Sequence, residues 1–220
     1  MNFIARKIIH SSLDKEGNKF IALHFPGGVL APADLRRIAD ACDEFGESKI
    51  KLGSEIIIGG VSDKKRNEEC RKKLNTPTFK VAAFCVRPVK VCAGGYICGN
   101  NLQDSFSLGT GLDKRFHGIE TPFKLVISVS GCPRCCAESK VKDIGIVASS
   151  KGYDLFVGGA AGARPRIAVN FARGISEEEA GILVERIIKR YQKGAKFAER
   201  LGLFIERIGL DKFKEEIGIK

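Results

Sequence analysis

No run of apolar residues in this chain approaches the roughly 18–20 needed to cross a bilayer, and nothing at its N-terminus resembles a signal peptide. The first absence excludes a helical membrane span, and the second argues against export. Internal repeats and low-complexity tracts are also missing, so the 220 residues read as one or two globular domains. Negative charge is in deficit: 26 Asp and Glu face 37 Lys and Arg, for a formal net charge of +11. That balance fits nucleic-acid or membrane partners, but it serves equally well to hold small oxyanions or to steer an acidic protein partner. No flavin- or pyridine-nucleotide-binding domain is visible.

What is present is cysteine, eight in all. Cys92 and Cys98 are separated by five residues, and Cys132 and Cys136 by three. Paired thiolates at such spacings suit a [4Fe-4S] cube, because each iron takes one soft anionic ligand. Gly94 and Gly95 follow Cys92 and let backbone amides approach inorganic sulfide, while Cys132 sits in a turn between Gly131 and Pro133. Zinc is the competing metal, but structural zinc favours two to four residues between paired ligands, so iron–sulfur is preferred. Free cysteine is also a common core residue. Cys42 and Cys85, on apolar faces of a helix and a strand, are read that way. Cys70, in a charged run, reads as a solvent-side bystander, and Cys135 is a neighbour of the proposed ligands. A disulfide framework is not expected in a chain long enough to bury its own core. Thiolate ligands need a reducing compartment, which places the protein in the cytoplasm.

The expected fold class is α+β. Residues 1–78 read as a ferredoxin-like half domain and residues 79–220 as a cofactor-binding α+β domain ending in helices. In the first, Phe20–Phe25 is strand-like, Pro26-Gly27-Gly28 is a turn, and Pro32 opens a helix with Leu35, Ile38, Ala39, Cys42 and Phe45 at helical spacing. A short strand at Ile56–Ile58 and a charged helix over Ser62–Leu74 follow, and Thr76-Pro77-Thr78 breaks the pattern. Near the C-terminus Ser176 and Glu179 form a capping box. Ala180, Leu183, Val184, Ile187, Ile188 and Tyr191 make one apolar stripe. Phe197, Leu201, Phe204 and Ile208 make a second.

The stretch from Lys124, KLVISVSGCPRCCAESKVKDIGIV and then DLFVGGAAGARPRIA, resembles the cluster-binding half of the siroheme-dependent sulfite and nitrite reductases. His24-Phe25-Pro26-Gly27-Gly28-Val29 resembles that family's R-x-P-G-G-V segment, and Arg87-Pro88-Val89-Lys90-Val91-Cys92 its R-N-V-x-x-C. Glu199 through Phe213 resembles its C-terminal helix. Length points to the small, single-copy assimilatory-type sulfite reductases.

The resemblance implies a [4Fe-4S] cluster on Cys92, Cys98, Cys132 and Cys136, with Cys136 shared by the siroheme iron. It implies six-electron reduction of sulfite, or of nitrite, fed by an acidic donor such as a ferredoxin. Arg87 and Lys124 match substrate-binding cations. Gly159 and Gly162 belong to a loop whose amides and following Arg164 and Arg166 would hold siroheme carboxylates. His24 stands where the larger enzymes carry arginine and could shuttle protons. Glu55 and Pro122 also replace family cations, which leaves open an electron-transfer protein without efficient reductase activity. The larger members carry two copies of this unit, so the single copy here implies a homodimer in which one chain's Arg87 and Lys124 serve the other's siroheme. Neither a membrane nor a nucleic acid is expected as a partner; a zinc protein binding nucleic acid is the remaining alternative.

Overall fold

The structure, a computed structural model, describes residues 19–46, 49–53, 55–61, 64–75, 84–95 and 97–219. The expected break at Thr76–Thr78, the expected domain boundary at 78 and the N-terminal residues 1–18 lie outside the described residues. The chain divides into two compact units, 1–83 and 84–220.

The first unit contains β1 (Lys19–Leu23), α1 (Pro32–Phe45), β2 (Lys49–Lys51), β3 (Ile56–Val61) and α2 (Lys64–Leu74). The strands form an antiparallel sheet in the order β1-β3-β2. Pro32 supplies a φ already suited to the first helical turn, and the Asp34 carboxylate accepts from the Ala31 amide at 3.0 Å. Gly46, in the left-handed region at φ 72°, ends α1. The helix buries Ile38, Ala41 and Cys42, whereas Leu35 is 54% exposed and Ala39 is also exposed. The inward stripe is thus rotated from the expected one. Cys70 departs further: it is fully buried with Leu74 against Ile21, Leu23 and Ile58, so it is a core residue and no bystander. The strand at β2 was not expected, because its Lys-Ile-Lys sequence is exposed throughout and carries no burial pattern.

The second unit contains β4 (Lys90–Val91), α3 (Ser105–Phe116), β5 (Ile127–Ser130), β6 (Ile144–Ser149), β7 (Gly152–Val157), β8 (Val169–Ile175), α4 (Glu177–Gly194), α5 (Leu201–Ile208) and α6 (Leu210–Ile217). Its sheet runs β4-β5-β6-β7-β8. The first three strands are parallel, and β6, β7 and β8 are antiparallel to one another in turn. Leu125, Ile127 and Val129 alternate into the core, as period-two side chains must, and meet Ile144, Ile146, Leu108 and Leu112.

Ser176 and Glu179 close the expected capping box on α4 at 3.1 and 2.8 Å. All six residues of the stripe that follows are buried. The second stripe is changed. Leu201, Phe204 and Ile205 point inward from α5, while Phe197 precedes that helix, is 56% exposed, and lies with its ring 5.2 Å from that of Phe84. Among the described residues no helix is long and apolar enough to cross a membrane.

The parallel pairing has a direct consequence for the cysteines. Because β4 and β5 are neighbours running the same way, their C-terminal ends lie side by side. Cys92 follows β4 immediately, and Gly131-Cys132 follows β5. In open α/β sheets, ligands bind at such carboxyl ends.

Candidate cofactor site

Two loops meet at those strand ends. The Gly131 amide donates to the Cys92 sulfur at 3.0 Å, and the Gly131 carbonyl accepts from the Leu102 amide at 2.7 Å. One residue therefore ties the loop bearing Cys92 and Cys98 to the loop bearing Cys132, Cys135 and Cys136. Within the first loop Gly94 pairs with Cys98, and its amide lies 3.4 Å from the Cys92 sulfur. This is the close amide approach that the glycines suggested, made to a cysteine sulfur. Gly95 has a different task. At φ 85° it lies against Asp104, whose side chain accepts from Phe106 and Ser107 and caps α3.

All eight thiols are free, and they divide by burial. Cys42, Cys70 and Cys85 are buried; Cys92, Cys98, Cys132 and Cys135 are half-buried, and Cys136 is exposed. Among the described residues no three His, Cys, Asp or Glu side chains converge as a single ion would require. A cube takes one soft thiolate to each iron, and the thiols on these glycine-walled loops have the chemistry for that role. Cys135 has φ 58° and turns the second loop, its amide donating to the Cys132 carbonyl at 3.1 Å.

The chain then folds back over the sheet. Ser130 and Ser139 hydroxyls meet at 2.9 Å, and the Ala137 amide donates to Ser130 Oγ at 3.3 Å. Gly145 is required beneath this crossing, since a Cβ there would collide with the Ser139 carbonyl. Glu138, left-handed at φ 57°, lies 3.0 Å from Lys90 and 2.8 Å from Lys142. Hydrogen bonds from those two ammonium groups pull its carboxyl down to about 2.

Asp143 is fully buried at the end of this return. Arg200 grips it through two bonds of 3.0 and 2.7 Å, and the Val126 amide donates to it at 2.9 Å. Burial raises its carboxyl to about 6, against the opposing pull of Arg200. The Asp143 carbonyl accepts from Gly158 at 2.8 Å, which fixes the base of the glycine-rich loop. Gly159 packs so tightly that a Cβ would stand 2.6 Å from the Lys142 carbonyl, whereas Gly162 faces open space. Ala160 and Arg166 close the loop by two backbone bonds of 3.0 and 2.8 Å. Arg164 is exposed, but the Arg166 guanidinium is engaged by Glu206.

Val86 and Leu125 form a fully buried parallel bridge, and the Arg87 amide donates to the Leu125 carbonyl at 2.8 Å. Arg87, half-buried, and Lys124, exposed, flank that bridge. They stand at the N-terminal ends of the segments whose C-terminal ends carry the cysteines, and Lys124 precedes β5. His24 belongs to the first unit, 6% exposed, just after β1. Leu23 pairs with Ile56 there, so His24 and Glu55 leave the ladder at the same end. The Pro122 carbonyl accepts from the Ala198 amide at 2.9 Å. Ser105, Glu138, Asp143 and Arg200 had not been singled out from sequence.

Residues 82–220 match the family model described as nitrite and sulphite reductase 4Fe-4S domain. The chain is 34% identical to a nitrite reductase [NAD(P)H] of Bacillus subtilis over 204 residues, 92% of this chain but 25% of that protein. It is 30% identical to an assimilatory-type sulfite reductase of Nitratidesulfovibrio vulgaris over 194 residues, 87% of this chain and 88% of the other. The chain thus spans about a quarter of the length of the first relative and most of the second. The Mycobacterium tuberculosis NirA protein shares its fold at a TM-score of 0.79 and 16% identity, over 94% of this chain and 42% of that one.

Proposed function

The chain belongs to the nitrite and sulphite reductase family, and from that premise we propose that it is a siroheme-[4Fe-4S] oxidoreductase reducing sulfite to sulfide, with nitrite to ammonia as the alternative reaction. Its most telling support is the double tie through Gly131, which joins the two cysteine loops at the ends of parallel strands. Cys92, Cys98, Cys132 and Cys136 are the assigned cluster ligands, and Cys136, exposed beyond the others, is the one assigned to siroheme as well. When bound, the cluster supplies single electrons and the siroheme iron holds the oxyanion.

The remaining work falls to the chain's own side chains. Gly159 keeps the glycine-rich loop against Lys142, Gly162 leaves room beside it, and Arg164 is free to reach an anionic cofactor carboxylate. Arg166 joins that task from its pairing with Glu206. Arg87 and Lys124 attract the oxyanion and offset negative charge as it is reduced. His24 is assigned to proton supply.

The position of Arg87 and Lys124 supports action on a second copy. Lys124 and Cys132 are eight positions apart, on a path that is extended for most of its length. That spans roughly 20–25 Å at about 3.3 Å per residue. A homodimer would bring these cations over the partner's cofactor; full activity from a monomer in light scattering would remove that part of the reading. The assigned setting is the cytoplasm, and the assigned donor is an acidic ferredoxin-like protein drawn by the basic surface.

The test is the visible spectrum of protein purified without oxygen, followed through dithionite and then sulfite or nitrite. Siroheme bands that move on adding an oxyanion, with turnover of reduced viologen, support the reductase, and the faster substrate names it. An iron–sulfur absorption without siroheme bands or turnover in cofactor-replete protein would instead identify an electron carrier.

A further inference from the structure

Cys92 differs from the other loop thiols in what surrounds its sulfur. Three hydrogen-bonding groups reach it: the Gly131 amide at 3.0 Å, the Gly94 amide at 3.4 Å and the Ser105 hydroxyl at 3.3 Å. The Cys98 sulfur has Asn100 at 3.9 Å, and among the described residues no hydrogen bond reaches the sulfurs of Cys132, Cys135 or Cys136.

Ser105 is the side chain in this group, and it is held in place on every side. It is fully buried at the first position of α3, and its hydroxyl donates to the Gly94 carbonyl at 2.9 Å. A Cβ on Gly94 would stand 2.9 Å from that hydroxyl oxygen, and one on Gly131 only 2.8 Å. Both glycines therefore make the space the hydroxyl occupies. A hydroxyl has one proton and two good acceptor directions. Beside a neutral thiol the carbonyl is the stronger acceptor. Beside a sulfur that carries negative charge the balance turns, because charge-assisted bonds are about twice as strong as neutral ones.

Resting on the proposed cluster, we infer that Ser105 sets the cluster's reduction potential by donating a hydrogen bond to the Cys92 sulfur. Reduction adds one electron from the donor and moves no proton from Ser105. Part of the added charge falls on the ligand sulfurs, so a fixed donor stabilises the reduced form more than the oxidised form and raises the potential. Ser105 acts through Cys92 and is a positioning residue.

The experiment is an anaerobic redox titration of the cluster-loaded protein, followed by electron paramagnetic resonance of the reduced cluster. Ser105→Ala lowers the reduced-to-oxidised ratio at a fixed poise by several-fold; a tenfold fall would be ~59 mV for a one-electron couple. Ser105→Thr, which keeps the hydroxyl, stays close to wild type. A purely structural serine would change melting temperature and cluster retention and leave the potential where it was. Ser105→Ala with a full cluster and an unmoved potential therefore overturns the inference. Should that variant not assemble, proton hyperfine spectra of the wild type after mixing into D2O decide. A coupled proton lost before those of the Gly94 and Gly131 amides marks the hydroxyl, because a hydroxyl exchanges faster than an amide at the same opening, and its absence overturns the assignment. Wild-type protein that binds no cluster overturns this inference and the proposed function together, whereas a failed titration on loaded protein overturns this inference alone.

Discussion

Cys42 and Cys70 lie among isoleucines and leucines in the core of the first unit, while Cys92, Cys98, Cys132, Cys135 and Cys136 occupy two loops at strand ends of the second. The same side chain serves in one place as a small hydrophobe and in the other as an accessible sulfur. Depth separates the two uses, and so does backbone. Cys42 and Cys70 sit on helices, where i, i+4 geometry turns them inward. The loop cysteines sit beside glycines and in a left-handed turn, where amides and open space replace packed carbon.

Replacement by serine tests this division most severely. Cys132→Ser in the second unit abolishes the iron–sulfur absorption of anaerobically reconstituted protein while far-ultraviolet circular dichroism is retained; a normal iron content would break the comparison. A large effect is also expected at Asp143→Ala, which strips Arg200 of its partner and the Val126 amide of its acceptor. Loss of a buried pair costs about 3 kcal/mol, read from chemical denaturation of the whole chain at pH 7.5. The same carboxyl gives a pH signature. Its value of about 6 lies above the ~3.9 of an unfolded aspartate, so the folded state keeps a proton that the unfolded chain has released. Its contribution to stability is full below pH ~4 and is lost as pH rises through about 6; Asp143→Asn removes that dependence.

Cys70→Ser is expected to cost about 1–3 kcal/mol by burying a hydroxyl among apolar side chains, with iron content unchanged. Any fall in cluster loading would blur the distinction between the two cysteine classes. The smallest effect belongs to Glu138→Gln. Its carboxylate is largely exposed, so salt screens its pairs with Lys90 and Lys142. With its value lowered to about 2, the stabilisation is present above ~4.3 and lost as pH falls toward 2. The variant should melt slightly lower at pH 7 in low salt and no differently in high salt.

Local chemistry was the most legible part of the sequence. The Ser176–Glu179 box and the α4 stripe needed only their own neighbours, and the cysteine spacings identified both loops. Cys70 was misplaced because lysines and arginines surround it in sequence. The signal that would have placed it was Leu74, four residues on and equally buried. The parallel pairing of β4 with β5 joins segments 38 positions apart, as in Lys90 with Ser128, and no local pattern encodes it. Asp143 and Arg200 are 57 positions apart, and each alone reads as an ordinary charge. Ser105 lies 13 positions from Cys92 across a loop that brings it back, so only the folded chain reveals what it touches.

The side-by-side ends of β4 and β5 also impose a schedule on synthesis. Cys132 is made 40 positions after Cys92, a delay of about 2–8 s at ~5–20 residues per second. Until then β4 has no β5 to pair with, and the Gly131 amide that will meet the Cys92 sulfur has yet to emerge. On the proposed ligand set, the first two thiols leave the ribosome as half of a metal site, and iron–sulfur delivery would wait for the second half of the chain.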